Sequence, residues 1–372
     1  CIRDRDREAH IHNHHLYDPY RKLAKLYNSE GYDSEGDFSE RMGVLMEKIT
    51  TEYRSKHGSD KNVRLSTGQL TELLYCHDVR ALTEQIVDYM RCKEICWLLF
   101  DNLDKGWPTS GLEVEDLLIV RALIDATKKI ERQFSKSNVV VNTIVFLRND
   151  VYELLVKSTS DRGKEAKVLL DWTDPDLLRE LVRLRIVANN FTGKEEFQGI
   201  WPKLCVSHHK GEESSQYLIE RSLMRPRFLL NLISQCKSFA INLNHEQIDS
   251  EDIEKGLSAY SADLLIDINY EIRDVEGHVD DILYAFIDSN ATMDREEIYS
   301  VLKDYGVDES LVAKIFDLLL WYGFIGICIE GLAKYIYDFN YSAQLMSGII
   351  KKKVDLKYVI NPAFWPALMI KT

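Results

Sequence analysis

The sequence lacks any long apolar run. No stretch approaches the roughly 18 to 20 residues that cross a bilayer, and no signal-peptide pattern opens the chain. The expectation is a soluble, cytoplasmic protein with no membrane partner. A cysteine framework is missing too: seven cysteines are scattered singly, and the nearest pair, Cys92 and Cys96, has the spacing of one helix face rather than of a zinc knuckle. An excess of positive charge is lacking: Asp and Glu number 60 against 47 Lys and Arg, and the formal net charge of −13 opposes non-specific attraction to nucleic acid or anionic membrane. Finally, there is no glycine-rich phosphate loop of the form Gly-x-x-x-x-Gly-Lys-Ser/Thr. Gly163-Lys164 is followed by Glu165 and Gly193-Lys194 by Glu195, and neither pair has the leading glycine. The first residue is Cys1, so a loop of that kind would lie upstream of it or have been lost.

What is present is material for a full core: 372 residues, 45% of them hydrophobic, enough for two or three domains. The stretch that organises the chain is Ile95 to Trp107. Its six apolar residues, Ile95 to Phe100, read as a strand buried on both faces that stops abruptly at Asp101. An acid at the carboxyl end of such a strand lies where open α/β sheets bind ligands. That makes Asp101 the candidate for holding Mg2+ on a nucleotide's phosphates. The plainer reading is a buried strand entering an Asp-rich turn.

Around this strand the periodicity is mostly helical. Residues 1–40 are rich in His, Asp and Tyr, with Pro19, Gly31 and Gly36 as breakers, and read as a solvated segment. On a strand, His10, His12, His14 and His15 would offer imidazoles to a metal. Apolar spacing predicts helices over Phe38–His57, Val79–Cys92 and Glu113–Phe134, then a second buried strand, Val139–Leu147, ending in Arg148-Asn149-Asp150. Strand, helix, strand is a βαβ unit, which requires a parallel sheet. From Asp171 to about Leu257 the pattern is helical, with Thr173 or Asp174 capping before Pro175. Pro226 opens a further helix with Arg225 and Arg227 at its start, where the macrodipole disfavours a cation. An anion in contact explains them, either a ligand phosphate or a neighbouring acid. Beyond Leu264, helices over Val279–Ser289, Arg295–Tyr305 and Glu309–Tyr322 and short strands at Phe324–Ile329 and Tyr335–Tyr337 follow a winged-helix order. In that region acids outnumber bases, and the only cationic cluster is Lys351-Lys352-Lys353. Contact with protein is therefore favoured over contact with nucleic acid.

Taken together, Leu98-Leu99-Phe100-Asp101-Asn102-Leu103-Asp104-Lys105-Gly106-Trp107, Phe146-Leu147-Arg148-Asn149-Asp150, Arg225-Pro226-Arg227 and Tyr358 to Phe364 resemble the bacterial P-loop ATPases of AAA+/STAND type. The resemblance implies an α/β P-loop NTPase with a parallel-sheet core over residues 1–165, a helical lid over 166–263 and a winged-helix-like domain over 264–372. It implies ATP and Mg2+ as cofactors, with Asp101 as the Walker B acid and metal ligand. Arg148 or Asn149 would sense the γ-phosphate, and Arg225 or Arg227 would be the lid arginine. The implied role is a switch ATPase regulating an antiviral or stress-signalling system, working as a homo-oligomer with an effector partner. Alternatives are a DNA-binding initiator-like protein that uses the winged helix, or a degenerate ATPase acting as a scaffold. Asn102 stands where this family usually carries an acid. An amide cannot accept a proton from water, and general-base help is worth about 10² to 10⁴ in rate. Hydrolysis is therefore expected to be slow unless Asp104 supplies the base.

Overall fold

The computed structural model describes residues 14–29, 79–101, 103, 114–149, 151–152, 155, 167–189, 196–277, 279–353 and 355–371, together with 47, 50–51 and 53–55. The chain divides into two units, Cys1–Lys105 with Val114–Ser160, and Gly106–Glu113 with Asp161–Thr372. Most of the helix expected over 38–57 lies outside the described residues, and the described ones, 47, 50–51 and 53–55, are helical.

In the first unit, α1 (His14–Ser29) precedes α2 (Val79–Met90), β1 (Cys96–Phe100), α3 (Val114–Ser135) and β2 (Val141–Val145). The two strands are parallel, in register from Cys96 opposite Val141 to Phe100 opposite Val145, which is the pairing that a strand–helix–strand sequence requires. One face of this pair is covered. Cys96, Leu98, Val139 and Val141 pack with Ile86, Val87 and Met90 of α2 and Ile130 and Phe134 of α3. The expectation that β1 is buried on both faces does not hold, because α2 and α3 lie against the same side. Trp97 is 49% and Leu99 60% exposed, beside exposed Ile144 and Phe146. The opening segment also departs from expectation. Residues 14–29 are helical through Pro19, and the Tyr20 ring lies 6.1 Å from that of Tyr89 in α2. Pro19 is the sixth residue, beyond the first four amides that have no intrahelical partner, so the helix continues through it at the cost of one backbone bond. His14 and His15 are thus helical, and His10 and His12 lie outside the described residues.

The second unit begins with α4 (Pro175–Val187), where Asp174 is the cap and accepts the Asp176 amide. A tight hairpin, β3 (His208–His209) and β4 (Glu212–Glu213), turns at Lys210-Gly211, both at positive φ, and leads into α5 (Ser214–Glu220). The long helices α6 (Pro226–Asn242) and α7 (Ser250–Val275) follow and pack on each other. Asp249 and Asp252 close a reciprocal capping box at the start of α7. After β5 (Thr292–Met293) come α8 (Arg295–Asp304), α9 (Glu309–Trp321), β6 (Ile325–Ile329), β7 (Leu332–Lys334), α10 (Ala343–Lys352) and β8 (Tyr358–Ile360). The strands form one antiparallel sheet in the order β5-β8-β6-β7.

Two local expectations fail in this unit. The helix expected over 279–289 is only a 3-10 turn at Ile282–Phe286. The hairpin's second strand is 332–334 rather than 335–337, because Tyr335 and Asp338 close a capping box that starts another 3-10 turn. The boundary expected at 263/264 falls inside α7, which runs through it unbroken. One hydrophobic core extends from Leu178 to Leu368, with Tyr260, Phe286, Phe324 and Phe364 fully buried within it.

Candidate nucleotide site

The parallel register sets the first half of the site. The Phe146 amide donates to the Phe100 carbonyl at 2.9 Å, so both chains leave the sheet at the same rim, one with Asp101 next and the other with Arg148 two residues on. Asp101 is exposed and Arg148 is partly buried. Asn149 opens a helical turn whose first bond runs from the Tyr152 amide to the Arg148 carbonyl at 3.0 Å. A hard carboxylate beside an arginine at a strand-end rim is the donor set that suits Mg2+ and phosphate oxygens. The structure thus brings Asp101, Arg148 and Asn149 to one edge of the first unit. Asn102, Asp104, Lys105 and Trp107 lie outside the described residues.

Arg225 and Arg227 belong to the second unit. Between α5 and α6 the buried Leu223 and Met224 both adopt left-handed backbone, and this turn delivers Arg225 as the N-cap residue of α6. Its Nη1 lies 2.8 Å from both Oε1 and Oε2 of Glu271 on α7, with the Phe228 ring 5.2 Å away. Burial opposes the charge of Arg225, but Glu271 and Tyr341 outweigh that and hold the guanidinium above its ordinary range. Arg227 Nη2 lies 3.1 Å from Asp267 Oδ2, with a side chain 77% exposed. Asp267 and Glu271 are four residues apart on α7, so the anion that the dipole argument demanded is supplied within the unit by this pair of acids. Arg225 is committed to it, and Arg227 remains open to solvent.

Sequence reasoning passed over two histidines of this unit. His245 Nδ1 lies 2.9 Å from Asp252 Oδ2 and 3.3 Å from Asp249 Oδ2, so that a protonated ring would be a counter-charge to the α7 capping box. His209 is 2% exposed, and neither of its ring nitrogens has a hydrogen-bond partner. His245 meets Asp249 and Asp252 only four and seven residues on, a local spacing that could have marked it, whereas the burial of His209 against Tyr217 and its approach to Glu254 are set by the fold. Lys351, Lys352 and Lys353 are exposed at the end of α10.

No described helix is long and apolar enough to cross a membrane. The family model described as the FunZ-associated C-terminal helical domain matches residues 176–269, the segment from α4 through most of α7. The chain is 22% identical over 293 residues to the putative transposon gamma-delta 80.3 kDa protein of Escherichia coli (strain K12), an alignment that covers 73% of this chain and 40% of that protein. No solved structure matches it. This chain is therefore similar, across its α4–α7 segment, to the FunZ-associated helical domain, and it spans about two fifths of the length of the transposon protein it resembles.

Proposed function

We propose that the chain carries the Walker B, lid and winged-helix-like parts of an ATP-binding switch ATPase of AAA+/STAND type. The reading rests on the β1–β2 register, which places Asp101 and Arg148 at one rim of a parallel pair. In this reading Asp101 holds Mg2+ and Arg148 or Asn149 meets the terminal phosphate, while exposed Arg227 is the better placed of the two lid arginines to reach an anion. Arg225 instead fixes the α6–α7 corner through Glu271. The sheet order β5-β8-β6 with α8 and α9 in front supports a winged-helix-like end. The outward side of α9 offers Lys314, already bonded to Glu276, and Asp317. That surface suits a protein partner better than a nucleic-acid backbone. The switch works in the cytoplasm as a homo-oligomer that passes its nucleotide state to an effector protein.

The test is MgATP-dependent thermal stabilisation of the protein. A ligand at 100 times its Kd adds about 2.7 kcal/mol. Asp101→Ala should abolish the Mg2+ dependence of that stabilisation. Unchanged Mg2+ dependence and turnover in Asp101→Ala would remove the site assignment, and failure to bind any nucleotide would leave a scaffold.

A further inference from the structure

Two histidines hold the first two turns of α7 from opposite sides, and their chemical requirements are opposite. His209 in β3 is buried edge-on against Tyr217 of α5, with ring centroids 4.6 Å apart and no hydrogen bond to either nitrogen. The charged groups facing it are Lys210 and Glu212 of the hairpin, Arg221 after α5, and Glu254 of α7. Its Nε2 is 4.0 Å from Glu254 Oε1, but that carboxylate already bonds Lys210 Nζ at 3.1 Å. Glu254 and Glu212 favour an imidazolium, but burial, reinforced by Lys210 and Arg221, outweighs them and holds the pKa of His209 below its ordinary value.

His245, just beyond α6, is in the converse position. It faces Asp249, Glu251 and Asp252, all in the first turn of α7 or its cap. Asp252 is fully buried; one of its oxygens takes the His245 ring and the Asp249 amide, and the other has no partner. A carboxylate sunk this deep is stabilised by a cation beside it. The hydrogen bond to Asp252 raises the pKa of His245 above its ordinary value.

We propose that these contacts form a proton-set latch on the start of α7, closed only while His209 is neutral and His245 is protonated. Acid places a charge inside the hairpin contact and loosens that side. Base removes the counter-charge of Asp252 and loosens the other. The unfolded reference for both is about 6.5. Because His209 is depressed in the fold, its contribution is complete above that value and is lost as pH falls below it. His245 is elevated, so its contribution is complete below that value and is lost as pH rises through its folded pKa. The latch is tightest near pH 6.5.

The test is an NMR titration of the imidazoles in the full chain, with amide protection factors across 250–257 followed against pH in the unmodified chain, His209→Phe and His245→Gln. His209 should titrate below the ordinary value and His245 above it. Protection should peak near pH 6.5 and fall on either side by up to about tenfold per pH unit, one proton being linked on each limb. His209→Phe should flatten only the acid limb and His245→Gln only the alkaline one. Glu254→Gln, at a half-exposed position, should move the His209 titration further down. Histidines that titrate at the ordinary value, or limbs that survive both substitutions, would overturn the latch.

Discussion

Gly256 lies in α7 where that helix meets α6, and a methyl group added there would stand 2.6 Å from the Cα, the backbone N and the Sγ of Cys236. Two opposed effects follow from Gly256→Ala. Alanine is the better helix former by about 1 kcal/mol. Against this, carbon atoms pack at about 3.5 to 4.0 Å, so α6 and α7 would have to separate by about 1 Å. Two of the three contacted atoms are backbone and cannot rotate away. The surroundings cannot yield either, because Leu232, Ile253 and Tyr260 on these helices are all fully buried. Overpacking typically costs about 1 to 3 kcal/mol and here should reach or exceed the upper end, leaving a net loss of about 2 kcal/mol or more. For a unit of this size each kcal/mol moves Tm by about 2 to 4 °C, so the expected fall is at least about 4 to 8 °C by calorimetry or circular dichroism. Adding Cys236→Ala should recover little, since the backbone contacts remain. Gly199→Ala, in a helical turn with nothing within 4 Å, serves as the control and should gain about 0.5 to 1 kcal/mol. If Gly256→Ala melted at or above the temperature of the unmodified chain, the close helix approach would be refuted.

Two further substitutions test other contacts. Glu271→Gln leaves Arg225 without its carboxylate; because each side chain of that pair is 25% exposed, the cost should fall to about 2 to 4 kcal/mol, below that of a fully buried pair. Denaturant unfolding reads it, and a loss under about 1 kcal/mol would show the pair to be solvent-screened. On the first unit, Val141→Ala on the covered sheet face should cost about 1 to 2 kcal/mol, whereas Trp97→Ser on the bare face should change stability by less than about 0.5 kcal/mol. Equal costs would mean that both faces are packed.

Much of the local architecture was legible in the chain. Val79, Val114, Pro175, Pro226, Arg295 and Glu309 open helices within a residue of where apolar spacing and capping residues placed them, because those signals act within one or two turns. The parallel pairing of β1 and β2 was equally readable, since a crossover helix leaves no antiparallel alternative within one sheet. By contrast, the helix at 14–29 runs through Pro19, which reads as a breaker, and β7 stops short of Tyr335 because Asp338, three residues on, closes a capping box that apolar periodicity does not reveal. The strand-end rim was legible as far as Asp101 and Arg148, and the arginines of α6 only as residues in need of an anion.

By itself, then, the sequence determined the helices, their caps, the two strands and the acid at the end of β1, all of which follow from dihedral preference and short-range hydrogen bonding. Only the tertiary structure decided that one sheet face is bare and that α7 runs unbroken through the expected domain boundary. It also decided that Glu271 takes Arg225, and that His209 is buried with neither ring nitrogen hydrogen-bonded. Each of these depends on which distant side chains share a desolvated volume. Burial and Coulomb energies are set by that proximity in space, and spacing along the chain does not encode it.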